Sequence, residues 1–357
     1  MTLRVLEICA GGGGQAVGLE RAGFHHAAAV EIDEAACATL RLNRPKWNVL
    51  CADVRTVHGK DFGPIDLIAG GVPCPPFSVA GKQLGADDER DMFPEALRLI
   101  EEANPAAALL ENVPGFASAK FDDYRGSVER RLRQAGYETD WRVLNASSFG
   151  VPQLRPRFVL VALKRSAFER FEWPEAIQGR VTVGECIGDL MASRGWPGAA
   201  GWAVRAADIG PTIVGGSKKH GGGDLGPTRA RLGWAKLGVE GKSLAEGPPE
   251  RDFPVDGMPR LSIPMVARIQ GFPDEWAFAG KKTAAYRQVG NAFPPPVAEA
   301  VGRAIRRALS EDEVSPKHDS SARPSRRRAR QLTLPVTVDP ACPRFVTAQA
   351  EPPYSAR

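Results

Sequence analysis

Four consecutive glycines, Gly11-Gly12-Gly13-Gly14, separate an apolar stretch at residues 3–9 from a helix-like stretch at 15–22. Strand, glycine turn and helix in that order constrain the fold more than any other feature of the chain. Glycines at such a turn let the backbone bend tightly and approach a ligand closely. The pattern then repeats. Residues 27–32 read as a second strand, and 33–43 as a helix capped by Asp33. Short strands follow at 49–52 and 66–69, a helix at 93–103, a strand at 106–110, a helix at 123–135 and a strand at 158–163. Strands alternating with helices at this spacing predict an α/β fold, a Rossmann-like, doubly wound and mainly parallel sheet. Ligands of such sheets bind at the carboxyl ends of the strands.

The character of the chain changes near residue 165. Residues 170–259 cluster Gly, Pro and Trp with weak periodicity. Helical patterning returns at Leu261 and ends in a helix at 295–309. The expected organisation is a catalytic domain at 1–164, a smaller loop-rich domain at 165–259, and a return segment at 260–310. A basic tail at 311–357, rich in Ser, Pro and Arg, is expected to be disordered.

Composition excludes some classes. No apolar run reaches the length of a membrane span, and no charged-then-apolar leader precedes the first strand. The six cysteines have irregular spacing and form no C-x-x-C pair, so neither a disulfide framework nor a metal site is expected. That reads as a reducing, cytoplasmic compartment. A net charge of +5 permits a polyanionic partner without requiring one.

The chemistry-bearing residues sit just after strands. Glu31, twenty residues after Gly11, is placed to accept from ribose hydroxyls, and Asp53 from an adenine amino group. NAD and S-adenosylmethionine both fit this level of description. Cys74 lies in Pro73-Cys74-Pro75-Pro76-Phe77-Ser78, a rigid loop frame that a core cysteine would rarely need. Glu111 ends an apolar strand, either as a cap for the next turn or as a pocket acid with a raised pKa. Gln153, Arg155 and Arg157 alternate as if along one strand, facing one side. Two arginines there suit an anion, whether phosphate or carboxylate.

Taken together, these segments resemble the DNA (cytosine-5)-methyltransferase family. Ala10-Gly11-Gly12-Gly13-Gly14 resembles the cofactor motif and Pro73-Cys74 with Phe77-Ser78 the catalytic motif. Glu111-Asn112-Val113, Gln153-x-Arg155-x-Arg157, Gln270-Gly271-Phe272-Pro273 and Gln288-x-Gly290-Asn291 follow in the family's order. The resemblance covers most of 3–163 and 260–306. It implies S-adenosyl-L-methionine bound by Cys9, Ala10, Gly11, Gly12, Gly14, Glu31, Ile32, Asp53, Val54, Pro73, Met92, Asn291 and Ala292. It implies Cys74 as nucleophile, Glu111 as the acid on the base, and Arg155 and Arg157 in support. Segment 165–259 would be the target recognition domain. Contacts to double-stranded DNA would come from Ser78, Lys82, Gln153, Lys218, Lys219, Arg229 and Arg231. A monomer working beside a restriction endonuclease is the implied setting. The chain departs from the family at Cys9, usually Phe, and at Pro75, often Gln. An RNA methyltransferase of the same fold, a non-catalytic binding module and an NAD oxidoreductase are the rivals; the last leaves Cys74 and Glu111 without roles. With tritiated S-adenosylmethionine and duplex DNA, Cys74→Ser is expected to abolish label transfer. Undiminished transfer would remove Cys74 as the nucleophile.

Overall fold

The computed structural model describes residues 2–73, 91–216 and 223–310. Cys74, Ser78, Lys82, Lys218, Lys219 and the tail at 311–357 lie outside the described residues. The first half builds the sheet from β1 Leu3–Ile8, α1 Gly14–Arg21, β2 Phe24–Glu31, α2 Glu34–Asn43, β3 Val49–Cys51 and β4 Leu67–Gly71. It continues through α3 Phe93–Ala103, β5 Ala107–Asn112, α4 Asp122–Gln134, β6 Tyr137–Asn145, β7 Gln153–Leu154 and β8 Pro156–Lys164. Seven strands form one sheet in the order β3-β2-β1-β4-β5-β8-β6. β1 to β5 pair in parallel, and β8 runs antiparallel to both β5 and β6. The strand order reverses at β1, between β2 and β4, which opens a crevice at their carboxyl ends.

Central strands are buried on both faces, so they read as continuous apolar runs. Residues 107–110 and 158–163 are fully buried. Strand β6 escaped sequence reading. It lies at the sheet edge, alternates partly buried and exposed residues, and carries Glu138, Asp140 and Arg142. Its pairing with β8 holds it in place, and its own composition gives little sign of that.

The expectation of a single strand carrying Gln153, Arg155 and Arg157 is corrected. Gln153 belongs to β7, which pairs with β9 Gly210–Pro211 in a separate two-stranded ribbon. Arg155 lies in neither strand, and Pro156 begins β8. Tight bonds from Gln153 N to Val151 O (2.7 Å) and from Arg155 N to Gln153 O (2.9 Å) break the extended run. Arg157 alone of the three enters the main sheet.

The second half contains α5 Arg165–Arg170, α6 Val183–Ala192, α7 Ala199–Arg205, β9, α8 Thr228–Lys236, α9 Ile263–Ile269, α10 Lys282–Asn291 and α11 Pro295–Leu309. The glycine- and proline-rich stretch is therefore more helical than its sequence suggests. Trp196, Trp202 and Trp234 are buried in it, in one apolar cluster that continues into Leu261, Met265, Val266 and Ile269. A reciprocal cap between Thr182 and Glu185 starts α6. The guanidinium of Arg268 joins α9 to α6 through Asp189 (2.5 Å) and also holds Asp274 (2.7 Å).

Helix α11 returns to pack on α1, closing the site's wall. The approach depends on small residues. A Cβ on Gly18 would lie 2.5 Å from both Ala298 Cβ and the Pro295 carbonyl oxygen, and one on Gly302 2.9 Å from Ala22 Cβ. Gly18→Ala gains helix propensity of up to about 1 kcal/mol, but backbone atoms cannot yield as a side chain can. We expect a net loss of about 1–3 kcal/mol from overpacking, read as a lower urea midpoint; an unchanged or raised midpoint would show that α11 is not held this tightly.

Candidate active site

A cavity of about 680 Å³ lies at the carboxyl ends of β1, β2, β4 and β5. Its size suits a ligand of nucleotide dimensions. Every residue that the sequence assigned to the cofactor lines it: Cys9, Ala10, Gly11, Gly12 and Gly14 after β1, Glu31 and Ile32 after β2, and Asp53 and Val54 after β3. Pro73 and Met92 close one side, and Asn291 and Ala292 the other.

The glycine turn is fixed from two directions. Gly13 adopts φ 90°, where a side chain would be strained, and a Cβ on Gly14 would meet the Phe293 carbonyl oxygen at 2.4 Å. From the return segment, the Trp276 indole donates to Gly12 O at 3.0 Å. From β2, Glu31 accepts from Gly11 N at 2.7 Å through one oxygen, and from Ile32 N and Asp33 N at 2.9 and 2.8 Å through the other. The carboxylate thus shapes the turn as well as facing the cavity. Asp53 caps the next turn and holds the Arg55 guanidinium, with a shortest contact of 2.6 Å. Hydrogen bonds from the Arg55 side chain and backbone keep its carboxyl below the usual range. Asn291 donates to Gly216 O at 3.0 Å.

Cys9 stands in left-handed backbone at φ 52°. Burial, then the charges of Glu31 and Asp53, push its thiol up to about 12. Burial pushes Cys37 and Cys186 to about 12 as well. At neutral pH all three are thiols, and so poor nucleophiles.

The floor of the cavity is acidic. Glu111 ends β5, beside Gly71 of β4 and Val159 of β8. Only 8% of it is exposed. Arg157, half-buried on β8, places Nε 2.9 Å from Glu111 Oε1. Burial pushes the Glu111 carboxyl up, while Arg157 and then Arg155 oppose the shift. Burial likewise lowers Arg157, and Glu111 partly restores it. The adjoining Asn112 donates to Val72 O at 2.9 Å, and Met92 N donates to Pro73 O at 3.1 Å. The backbone is therefore pinned beside Glu111 at the residue immediately before Cys74.

Gln153 and Arg155 serve elsewhere. Both are fully buried. Gln153 Nε2 donates to Gln270 Oε1 at 2.6 Å, and its Oε1 accepts from Ile213 N at 2.8 Å. Arg155 donates to the carbonyls of Ile213 (2.6 Å), Gly290 (2.7 Å) and Ala292 (2.9 Å). The assignment of Gln153 to DNA contact is corrected, because its amide is used up inside the protein. Arg155 does not reach Glu111 by any of these bonds, so it positions the site's walls. Arg229 is exposed on α8, whereas Arg231 is half-buried with Nη2 3.2 Å from Thr228 Oγ1.

Three side chains around the cavity escaped sequence reading. Arg287 lines it, with Nη2 3.6 Å from Asp33 Oδ2. Gln15 lines it from the first turn of α1. Glu7, in the middle of β1, is fully buried with Oε2 2.9 Å from His26 Nε2, and its Oε1 has no hydrogen-bond partner among the described residues. Burial raises its carboxyl. The signal for Glu7 was present: an acid between Leu6 and Ile8 in an otherwise apolar strand is unusual enough to need a partner. It sits under the positive end of α1, whose cap residue Gly13 supplies no side-chain bond.

The sequence model of the C-5 cytosine-specific DNA methylases matches residues 3–307. The chain is 56% identical over 313 residues to the Type II methyltransferase M.NaeI of Lentzea aerocolonigenes, covering 87% of this chain and 76% of that protein. It is 52% identical over 320 residues to M.NgoMIV of Neisseria gonorrhoeae, covering 87% and 100%. In fold it is similar to the Entamoeba histolytica methyltransferase EhMeth, at 15% identity and a TM-score of 0.63, covering 87% of this chain and 100% of that one. The S. pombe Dnmt2 methyltransferase follows at 20% identity and a TM-score of 0.57, covering 87% and 98%. With a glycine-turn cavity, a buried acid on its floor and a family match along nearly all of the described residues, the chain belongs to the C-5 cytosine-specific DNA methylases and transfers a methyl group from S-adenosyl-L-methionine to C5 of cytosine in DNA.

Proposed function

We propose that the chain methylates a cytosine flipped out of double-stranded DNA, with Cys74 as nucleophile and Glu111 as the acid on the base. The observation that carries this reading is the pair of buried Glu111 and half-buried Arg157 beside the pinned backbone that leads into Cys74. The cavity above it fits the methyl donor. A glycine turn after β1 and carboxylates after β2 and β3 suit a nucleoside carrying an amino-acid tail.

The target base must leave the helix, because its C6 face is stacked inside it. The Cys74 thiolate forms a bond to C6, and the ring electrons move toward N3. Glu111, which burial helps to keep protonated, donates its proton to N3 and so neutralises the developing charge. Arg157 fixes the carboxyl in that orientation. S-adenosyl-L-methionine supplies an electrophilic methyl group, which the activated C5 accepts. S-adenosylhomocysteine is the leaving group; a solvent base takes the C5 proton as the Cys74–C6 bond breaks, and N3 returns its proton to Glu111, which restores the thiolate and releases 5-methylcytosine.

Residues 165–259 act as the target recognition domain, residues 260–310 complete the catalytic domain, and Arg229 and Arg231 are the DNA contacts assigned there among the described residues. The protein works as a monomer. Two relatives above half identity are named Type II methyltransferases, which supports a role in shielding host DNA from a partner endonuclease. Bisulfite sequencing of DNA from a methylation-free host expressing the protein is expected to show 5-methylcytosine in one sequence context. Glu111→Gln should lower transfer by about 10²–10⁴-fold. Methylation scattered without context, or confined to RNA, would overturn the reading.

The pair also has a pH signature. A folded-state carboxyl pKa above its unfolded value means that the ionised form weakens the fold, so stability falls as pH rises through that range. Arg157→Met removes the group that opposes the shift and raises Glu111 further. In urea titrations the variant should lose about 3 kcal/mol or more at mildly alkaline pH, where an unpaired charge is buried. It should lose much less in acid, where Glu111 is neutral. Equal losses at both ends would mean that the pair does not carry this charge.

A further inference from the structure

Residues 74–90, Cys74 among them, join the structure at Pro73 on one side and at Asp91 on the other. The Pro73 end is held by backbone: Met92 N donates to Pro73 O at 3.1 Å, and Asn112 donates to Val72 O at 2.9 Å. The Asp91 end is held by its own side chain, which is 5% exposed. Its Oδ1 accepts from Phe93 N at 3.1 Å, at the start of α3. Its Oδ2 accepts from the hydroxyl of Tyr124, in the first turn of α4. A carboxyl group is seldom buried without such partners.

Tyr124 does more than make this bond. Its ring stands edge-on to Phe93 and Phe116, at centroid distances of 6.1 and 6.0 Å, and those two rings stack at 4.9 Å. The next residue, Arg125, is buried and donates to Phe116 O at 2.5 Å and Ser118 O at 3.1 Å. Phe116 and Ser118 belong to the turn that follows Glu111-Asn112-Val113. Two adjacent residues of α4 therefore hold both catalytic segments, Tyr124 the one that carries Cys74 and Arg125 the one that carries Glu111. Neither lines the cavity.

Resting on the reading of Cys74 as nucleophile and Glu111 as acid, we infer that Tyr124 is a positioning residue for methyl transfer. Through Asp91 it sets where the Cys74 segment rejoins the fold, relative to the Glu111 turn that Arg125 holds. It acts from outside the cavity, by way of one hydrogen bond.

The test is single-turnover transfer from tritiated S-adenosylmethionine to unmethylated plasmid DNA, with protein and cofactor in excess, beside calorimetric titration of the cofactor alone. Tyr124→Phe keeps the ring and removes the hydroxyl. It is expected to slow transfer about tenfold, because small misplacements of reacting groups are costly, and to leave cofactor affinity within about twofold of wild type. Asp91→Asn can still accept from Phe93 N and donate to the Tyr124 oxygen, so it should retain most of the rate. Asp91→Ala should lose it. Adding Tyr124→Phe to Asp91→Ala should cost little more, because the bond is already gone. An unchanged rate in Tyr124→Phe would overturn the inference. So would a cofactor affinity that falls along with the rate, or losses that multiply in the double variant; either makes Tyr124 an ordinary support of the fold. Transfer by Cys74→Ser at the wild-type rate would overturn the nucleophile reading beneath it, whatever Tyr124→Phe does.

Discussion

Three distant stretches of the chain meet on one buried guanidinium. Arg155 donates to carbonyls at Ile213, Gly290 and Ala292, and through Gln153 to the same corner. Burial and the neighbouring charge of Arg157 lower its hold on the proton, yet an arginine in proteins stays charged. Taking that charge out of water is expensive, and the carbonyl dipoles offset the cost only because the planar fork meets them together. Lysine, a single point with three donors, has no such geometry. Without Arg155 the carbonyls would be left bare, each at a cost of about 1–3 kcal/mol. The site depends on this corner, because Ala292 and Phe293, next to its last acceptors, form the wall against which Gly14 is pressed.

That wall explains how the cavity keeps its shape. The sheet supplies strand ends, but the glycine turn has no side chains with which to hold itself. Glu31 fastens it from β2 and the Trp276 indole from the return segment. The turn is held by neighbours on every side, so the backbone can present its amides to a ligand in a fixed arrangement. The catalytic floor follows the same logic. Glu111 is placed by register within the sheet, and Asn112 ties the approach to Cys74 alongside it.

Much of this was legible in the amino-acid sequence. The alternation of apolar runs, glycine breaks and helices marks β1 to β5 and their helices, because each central strand is buried on both faces and bounded by turn residues. The strand-end residues Glu31, Asp53 and Glu111 were legible for the same reason: in a parallel sheet the position after a strand is a position in the crevice. Strand β6 was not, since an edge strand takes its order from pairing. Nor was the break at Arg155, where local turns override an alternating pattern that reads as one strand. The helices between 183 and 236 were hidden by glycine and proline, and they form around tryptophans whose burial is visible only in three dimensions. Gln15 and Arg287 look like ordinary helix-surface residues until the helices are placed around the cavity.

The pairing of α1 with α11 has a consequence for how the enzyme comes into being. These helices stand at opposite ends of the described chain, at Gly14–Arg21 and Pro295–Leu309. At about 5–20 residues per second, synthesis separates them by roughly tens of seconds. During that interval the parallel strands can assemble, but Gly18 and the glycine turn face water with no partner. The cavity wall at Asn291, Ala292 and Phe293 emerges just before α11, the last helix among the described residues. A chain that ended before Asn291 would hold the whole seven-stranded sheet and still lack one wall of its cofactor site.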